Sequence, residues 1–167
     1  MDYLWSPWRY QYVSGAARRD VCIFCEMAAG DPGRDRERLV LHRGRFNLVV
    51  LNRFPYTSGH VMIAPIQHTA ALAGLGVESL SEMMTLARDL EAALQAAYRP
   101  DGYNLGMNLG RSAGAGIADH LHLHVLPRWN GDTNFMTTAG ETRVLPEALE
   151  TSYDKLVGFF RLPSAKP

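Results

Sequence analysis

Along His120-Leu121-His122-Leu123-His124-Val125-Leu126, imidazoles alternate strictly with aliphatic side chains, which is the period of a strand with two different faces. The alternation predicts Leu121, Leu123 and Val125 toward a core and the three histidines in a row on the opposite face, roughly 6 to 7 Å apart at two strand rises per step. Imidazole serves near neutrality as nucleophile, general acid, hydrogen-bond donor or metal ligand, so such a row points to chemistry. A merely solvated face is more often built from Thr, Lys or Glu.

Two further clusters carry reactive potential. The chain's only two cysteines stand three apart in Cys22-Ile23-Phe24-Cys25, which in a reducing compartment reads as a redox pair or half of a metal site. The stretch from Gly110 to Ile117 is rich in glycine and ends just before the histidine row. Glycines let backbone N–H groups converge on an anion without a side chain in the way, which predicts phosphate binding there. Asn108, Arg111 and Ser112 are candidate additional donors.

Composition limits what these groups act on. With 167 residues, 47% hydrophobic and 20% charged, the chain has the profile of one globular domain with a single core. Lys plus Arg and Asp plus Glu number 17 each, so a nucleic acid polymer is a poor candidate partner while small nucleotides stay open. There is no run of membrane-spanning length and no signal-peptide core in Met1 to Tyr12, which predicts a cytoplasmic protein without a membrane partner.

The elements that would position these residues follow from pattern. An aromatic arm (Tyr3, Trp5, Trp8, Tyr10, Tyr12) leads to a short helix over Cys22 to Ala29 and a loop from Gly30 to Arg38. Strands are predicted over Arg38 to His42 and Phe46 to Asn52, joined by Arg43-Gly44-Arg45, and over His60 to Ala64, closed by Pro65. A long helix begins at a capping box of Ser79 and Glu82, repeats Leu80, Met83, Met84, Ala87, Leu90 and Leu94 at helical spacing, and stops at Pro100. Met83 and Met84 are both expected in the core, and His42 is placed on a charged turn without function. A strand from Tyr103 to Asn108 and the histidine strand flank the glycine loop. Pro146 opens a closing helix bearing Leu149, Leu156, Val157 and Phe160. The expected fold is α+β, an antiparallel sheet packed on one long helix plus a C-terminal helix, with the site on the other face. Residues 1–162 form one domain, and 163–167 form a tail.

These motifs resemble the histidine triad superfamily of nucleotide hydrolases and transferases. The resemblance runs from the triad itself to Asn52-Arg53-Phe54-Pro55-Tyr56-Thr57-Ser58-Gly59-His60-Val61, similar to the family's nucleoside-binding strand and turn. Pro127-Arg128-Trp129 resembles the branch of dinucleoside polyphosphate hydrolases and phosphorylases. Trp5-Ser6-Pro7-Trp8-Arg9-Tyr10 and Gly131-Asp132-Thr133-Asn134-Phe135-Met136 resemble bacterial members that phosphorolyse diadenosine tetraphosphate. Cys22-Ile23-Phe24-Cys25-Glu26 and Pro65-Ile66-Gln67-His68 resemble the segments that supply zinc ligands in bacterial relatives.

The resemblance implies roles. His122 would attack the α-phosphorus, its second nitrogen donating to the His120 carbonyl, and His124 would contact phosphate oxygens or protonate the leaving oxygen. Val50 and Met62 would lie against the purine, Asn52 on the ribose, and Asn108, Gly114 and Gly116 near phosphate, with His60 behind the triad. Gly116 and Ile117 stand where hydrolases of the family often have Gln and Ser or Thr. That departure favours phosphate over water as the acceptor, with Arg111 or Arg128 offsetting repulsion between two phosphates. Cys22, Cys25, His68 and His120 would hold a structural zinc ion. A homodimer or larger assembly is implied, with the long helix and the second hairpin as its interface. The resemblance also admits a hydrolase of dinucleoside polyphosphates or phosphoramidates, or a nucleotide-binding module with incidental activity.

Overall fold

A computed structural model describes residues 21–133 and 147–161; the aromatic arm, Asn134 to Pro146 and the tail expected above lie outside the described residues. Strand β1 (Val40–Arg43), β2 (Asn47–Leu51), β3 (Val61–Pro65), β4 (Gly102–Gly106) and β5 (Leu123–Arg128) form one antiparallel sheet in the order β1-β2-β3-β5-β4. Helix α1 (Ile23–Ala29) and a short α2 (Asp35–Arg38) precede it, α3 (Val77–Tyr98) joins β3 to β4, and α4 (Leu149–Arg161) closes the described chain.

The two faces of the sheet divide the molecule. Val49, Leu51, Val61, Ile63, Leu123 and Val125 bury one face against Met83, Leu90 and Leu94 of α3 and Tyr153 and Leu156 of α4. Burying such side chains stabilises the fold by about 1.5 to 3 kcal/mol each. Leu121 joins the same core. On the other face the register pairs Val40 with Val50, Val50 with Met62, Met62 with His124 and His124 with Gly106, so residues from all five strands form one transverse row. Directly paired residues share a face, which places Val50, Met62 and His124 side by side away from the long helix. Helix α1 covers part of that row: Phe24 packs with Met62, and Met27 with Val40 and Val50.

Several expected boundaries move. The Gly30 to Arg38 segment is not a plain loop, since Pro32–Arg34 forms a 3-10 turn capped by the Asp31 carboxylate on the Gly33 N–H and α2 follows it. The long helix starts at Val77 with Gly76 as its N-cap, so Ser79 and Glu82 make no capping box. Glu82 instead accepts from the N–H groups of Arg45 (2.7 Å) and Phe46 (2.8 Å) and from Asn47 Nδ2 (2.8 Å), clamping the β1–β2 turn to the helix. Burial works to raise its carboxyl, yet these bonds hold it below the usual carboxylate range. Met83 is buried as expected, but Met84 is 58% exposed because it falls on the outer face of α3. Its strand pairing puts His42 on β1, stacked on Phe160 at 5.1 Å, rather than on a turn.

Candidate functional site

The histidine row is built by a strand and the segment before it. Regular pairing of β5 begins at Leu123, so His120 and His122 stand on irregular backbone that Leu121 N–H ties to the Thr69 carbonyl at 2.7 Å. All three histidines are buried, with His120 at 0% exposure. The rings of His122 and His124 sit edge to face, centroids 4.8 Å apart.

Hydrogen bonds fix which nitrogen of each ring carries the proton. His122 Nδ1 lies 3.0 Å from the His120 carbonyl, an obligate acceptor, so Nδ1–H donates and the lone pair is on Nε2. Burial lowers its pKa and favours this neutral form. The opposite holds at His124. The Tyr56 backbone N–H, an obligate donor, points at His60 Nδ1 (3.1 Å), and Asn52 Nδ2 adds a second contact there at 3.2 Å. His60 must therefore carry its proton on Nε2 and donate to His124 Nδ1 at 2.9 Å. Neutral His124 is left with Nε2–H, which has no protein acceptor among the described residues. Burial, aided by the adjacent His122, lowers its pKa to about 4. The pair thus offers one lone pair and one N–H donor side by side, the requirement for attacking an electrophile while holding its oxygen.

The position of His60 depends on its turn. Gly59 has φ 75° and lies so close to α3 that a Cβ would meet Tyr98 at 3.0 Å and Leu94 at 3.1 Å. Only glycine suits both demands. Thr57 Oγ1 anchors the same turn by donating to the Pro127 carbonyl at 3.2 Å.

Other expected residues fall as follows. Val50 and Met62 are buried in the row with His124. Asn52 Oδ1 accepts from Phe54 N–H at 3.0 Å, so both ends of its carboxamide are engaged within the turn. Asn108 is half-buried between β4 and the glycine loop, while Gly114 and Gly116 are exposed. The loop is more folded than expected: Gly110 and Gly114 take φ of 82° and 84°, and the N–H groups of Ala113, Gly114 and Ala115 turn back onto Gly110 and Arg111 carbonyls. Those three donors face the loop itself. Ile117 packs with Phe24, Met62 and Ala64. Arg128 is committed to Asp132 (Nη2 to Oδ1, 2.8 Å) and to Asn104, so its charge is already balanced. Arg111 is exposed, with no side-chain partner among the described residues.

Sequence reasoning missed two aromatic residues. Phe24 is fully buried with its ring 5.1 Å from His120 and 5.2 Å from His122. Tyr56 lies 4.7 Å from the His60 ring and 6.1 Å from His124. Phe24 lies inside Cys22-Ile23-Phe24-Cys25 and Tyr56 inside the 52–61 turn; an apolar ring between two cysteines is the sequence signal for Phe24.

A fourth group converges on His120 from the far side. The ligand atoms of Cys22, Cys25, His68 and His120 lie within 4.8 Å of one another. His120 Nε2–H donates to the Pro65 carbonyl at 2.8 Å, so Nδ1 presents a lone pair. Cys22 Sγ (3.2 Å), His68 Nδ1 (3.2 Å) and Cys25 Sγ (3.7 Å) all contend for it. One proton satisfies only one of them, whereas one cation satisfies all. A tetrahedral ion with bonds of about 2.3 Å to sulfur and 2.0 Å to nitrogen has ligand separations of about 3.3 to 3.8 Å, and the three contacts to His120 Nδ1 lie close to that range while the group as a whole spans up to 4.8 Å. The residues fit a metal.

Comparison with known proteins adds three findings. Residues 36–131 match the HIT domain family. The chain is 36% identical over 159 residues to the AP-4-A phosphorylase of Mycobacterium tuberculosis, covering 89% of this chain and 79% of that protein. It is 30% identical over 109 residues to an adenosine 5'-monophosphoramidase of Schizosaccharomyces pombe, 65% of this chain and 75% of that one. Among solved structures, a zinc-bound histidine triad family protein from Mycobacterium smegmatis superposes with a TM-score of 0.67 at 28% identity, covering 84% of this chain and 94% of the other.

Proposed function

We propose, from the premise that this chain belongs to the HIT domain family and is one of its nucleotide-processing enzymes, that it phosphorolyses diadenosine tetraphosphate to ADP and ATP. The observation that carries the reading is the opposite tautomers of His122 and His124, joined to 36% identity with an AP-4-A phosphorylase over most of the chain. His122 Nε2 attacks the α-phosphorus, the P–O bond to the leaving ATP breaks, and an adenylyl group remains on the imidazole. Inorganic phosphate then attacks the same phosphorus, releasing ADP and restoring His122. ATP leaves as a stable anion and needs no added proton, which suits a His124 that donates a hydrogen bond but stays neutral.

In this reading Met62 borders the base, Val50, 1% exposed beneath Met27, backs it from within the sheet, and Asn52 retains one N–H and one oxygen lone pair for ribose hydroxyls. Ile117 and Gly116 put no side-chain hydroxyl or amide beside the α-phosphate, and Arg111, which has no side-chain partner among the described residues, supplies a cation for the incoming phosphate. Cys22, Cys25, His68 and His120 would hold a zinc ion, and a set of two thiolates and two imidazoles suits a structural role. A homodimer is supported by the outer edge of β4 and the segment after it, where Leu105 and Leu109 are 46% and 42% exposed. No described helix is long and apolar enough to cross a membrane.

The test is product analysis with 32P-labelled phosphate. Phosphorolysis places the label in the β-phosphate of ADP, while hydrolysis gives unlabelled AMP plus ATP. The similarity to a phosphoramidase supports hydrolysis as the second reading, and that product pattern would establish it.

A further inference from the structure

We infer that the four-residue metal cluster positions the nucleophile, with His120 as the residue through which it acts. This rests on the reading of His122 as the nucleophile. His120 belongs to both sites. Its ring turns Nδ1 to Cys22, Cys25 and His68 and gives Nε2–H to Pro65, while its carbonyl takes the His122 Nδ1–H. That last bond sets the lone pair of His122 on Nε2. The side chain and the peptide of one fully buried residue therefore link ligand sphere and nucleophile.

Two further connections run the same way. Phe24 lies between the two cysteines in sequence, and its ring touches both His120 and His122. The segment bearing His68 is also bonded to the backbone between the two histidines, through Thr69 O and Leu121 N–H. Of the groups around the His122 ring, the His120 carbonyl and Phe24 thus hang on the cluster, and the His124 ring belongs to the separate His60 chain. With an ion bound, Cys22 and Cys25 of the α1 segment, His68 and His120 would be joined, tying α1, the 65–69 segment and residues 120–122 together. Without an ion, three groups would compete for one lone pair, and the His120–Leu121 peptide would be held by the Leu121 N–H on Thr69 O and the His120 ring on Pro65 O alone. Coupling of this kind is reciprocal, so events at His122 must be felt at the metal.

The reciprocity supplies the test. The full-length protein is loaded with cobalt(II), whose thiolate charge-transfer and d–d bands report the ligand sphere, and treated with diadenosine tetraphosphate without phosphate. Mass spectrometry counts the adduct on His122 while the spectrum is recorded. A band shift that grows with adduct and is absent in His122→Gly is expected; full adduct with an unchanged spectrum overturns the inference. In parallel, imidazole 15N shifts give the His122 tautomer in the zinc-loaded protein, Cys25→Ser and Cys25→His. Cys25→Ser should lose the uniform Nδ1–H form and at least tenfold in kcat with less than threefold change in KM, and Cys25→His should restore both. A His122 tautomer and kcat equal to wild type in folded, metal-free Cys25→Ser would overturn the inference and leave the metal a stabiliser only. Absence of any adduct in the loaded wild type counts against the nucleophile reading instead, and the tautomer comparison still decides the coupling.

Discussion

His60 Nε2 donates to His124 Nδ1 across 2.9 Å, and because Tyr56 N–H occupies the other nitrogen of His60, the proton order of the pair is fixed by the backbone. Replacing His60 by Phe removes the donor while keeping a ring. His124 then distributes between tautomers, and kcat should fall about tenfold or more, roughly 1.4 kcal/mol, with less change in KM. Steady-state kinetics on diadenosine tetraphosphate, with 15N shifts of His124, check this; unchanged kcat would show that the lock has no catalytic consequence.

His122→Gly should lower turnover by roughly 10⁴-fold or more and abolish the covalent adduct, as loss of a nucleophile does. Nucleotide binding should survive, because the proposed base and ribose contacts, Met62 and the 52–60 turn, are untouched. Isothermal titration with AMP, beside an adduct assay, separates the two effects. Turnover within tenfold of wild type would end the covalent mechanism.

Acid should destabilise the fold through His124. Burial lowers its pKa from the ordinary 6.5 to about 4, so between those values the unfolded chain binds more protons than the folded one. Stability is fully present above about pH 6.5 and is lost as pH falls toward 4, by at most roughly 3 kcal/mol. Urea unfolding of wild type and His124→Gln across that range measures it. The variant should show a shallower decline, and identical slopes would refute the assignment.

Glu82→Ala should cost about 2 kcal/mol, since it removes a charged acceptor from the Arg45 and Phe46 N–H groups and from Asn47. Glu82→Gln, which keeps one acceptor oxygen, should cost less. Chemical denaturation of both variants gives the comparison, with activity at low temperature expected to persist. A cost below 0.5 kcal/mol (about a twofold change in the unfolding equilibrium) would show that the clamp is not stabilising.

Arg111→Ala should raise the apparent KM for phosphate by about tenfold, the effect of roughly 1.4 kcal/mol, with a smaller effect on that for dinucleotide. Initial rates over a matrix of both substrate concentrations resolve the two. Equal effects, or none, would leave Arg111 a solvated side chain.

The sheet, the two principal helices and the core-facing set Leu121, Leu123 and Val125 were legible because periodicity reports burial directly. So was the hydrogen bond from His122 to the His120 carbonyl, which the family resemblance implied. The role of Glu82 is not legible, because Ser79-x-x-Glu82 satisfies a local capping rule, while the tertiary need of a hairpin turn for an acceptor is invisible along the chain. The inward-turned N–H groups of the glycine loop were hidden for a related reason, since glycine content signals freedom but not which bonds use it. The meeting of Phe24 with His122 joins residues 98 apart in sequence, and no pattern in one chain encodes that distance.

The transverse row Val50–Met62–His124 has a consequence for how the enzyme comes into being. Strand register is quantised, and a slip of one residue in β3 would turn Met62 into the core and Val61 or Ile63 outward. Met62, which pairs with His124, and His60, which donates to it, sit on that strand and its lead-in, so a mispaired sheet would lose both contacts together. Catalytic competence is thus gained in one step with correct pairing, and no partly folded chain carries a fraction of it.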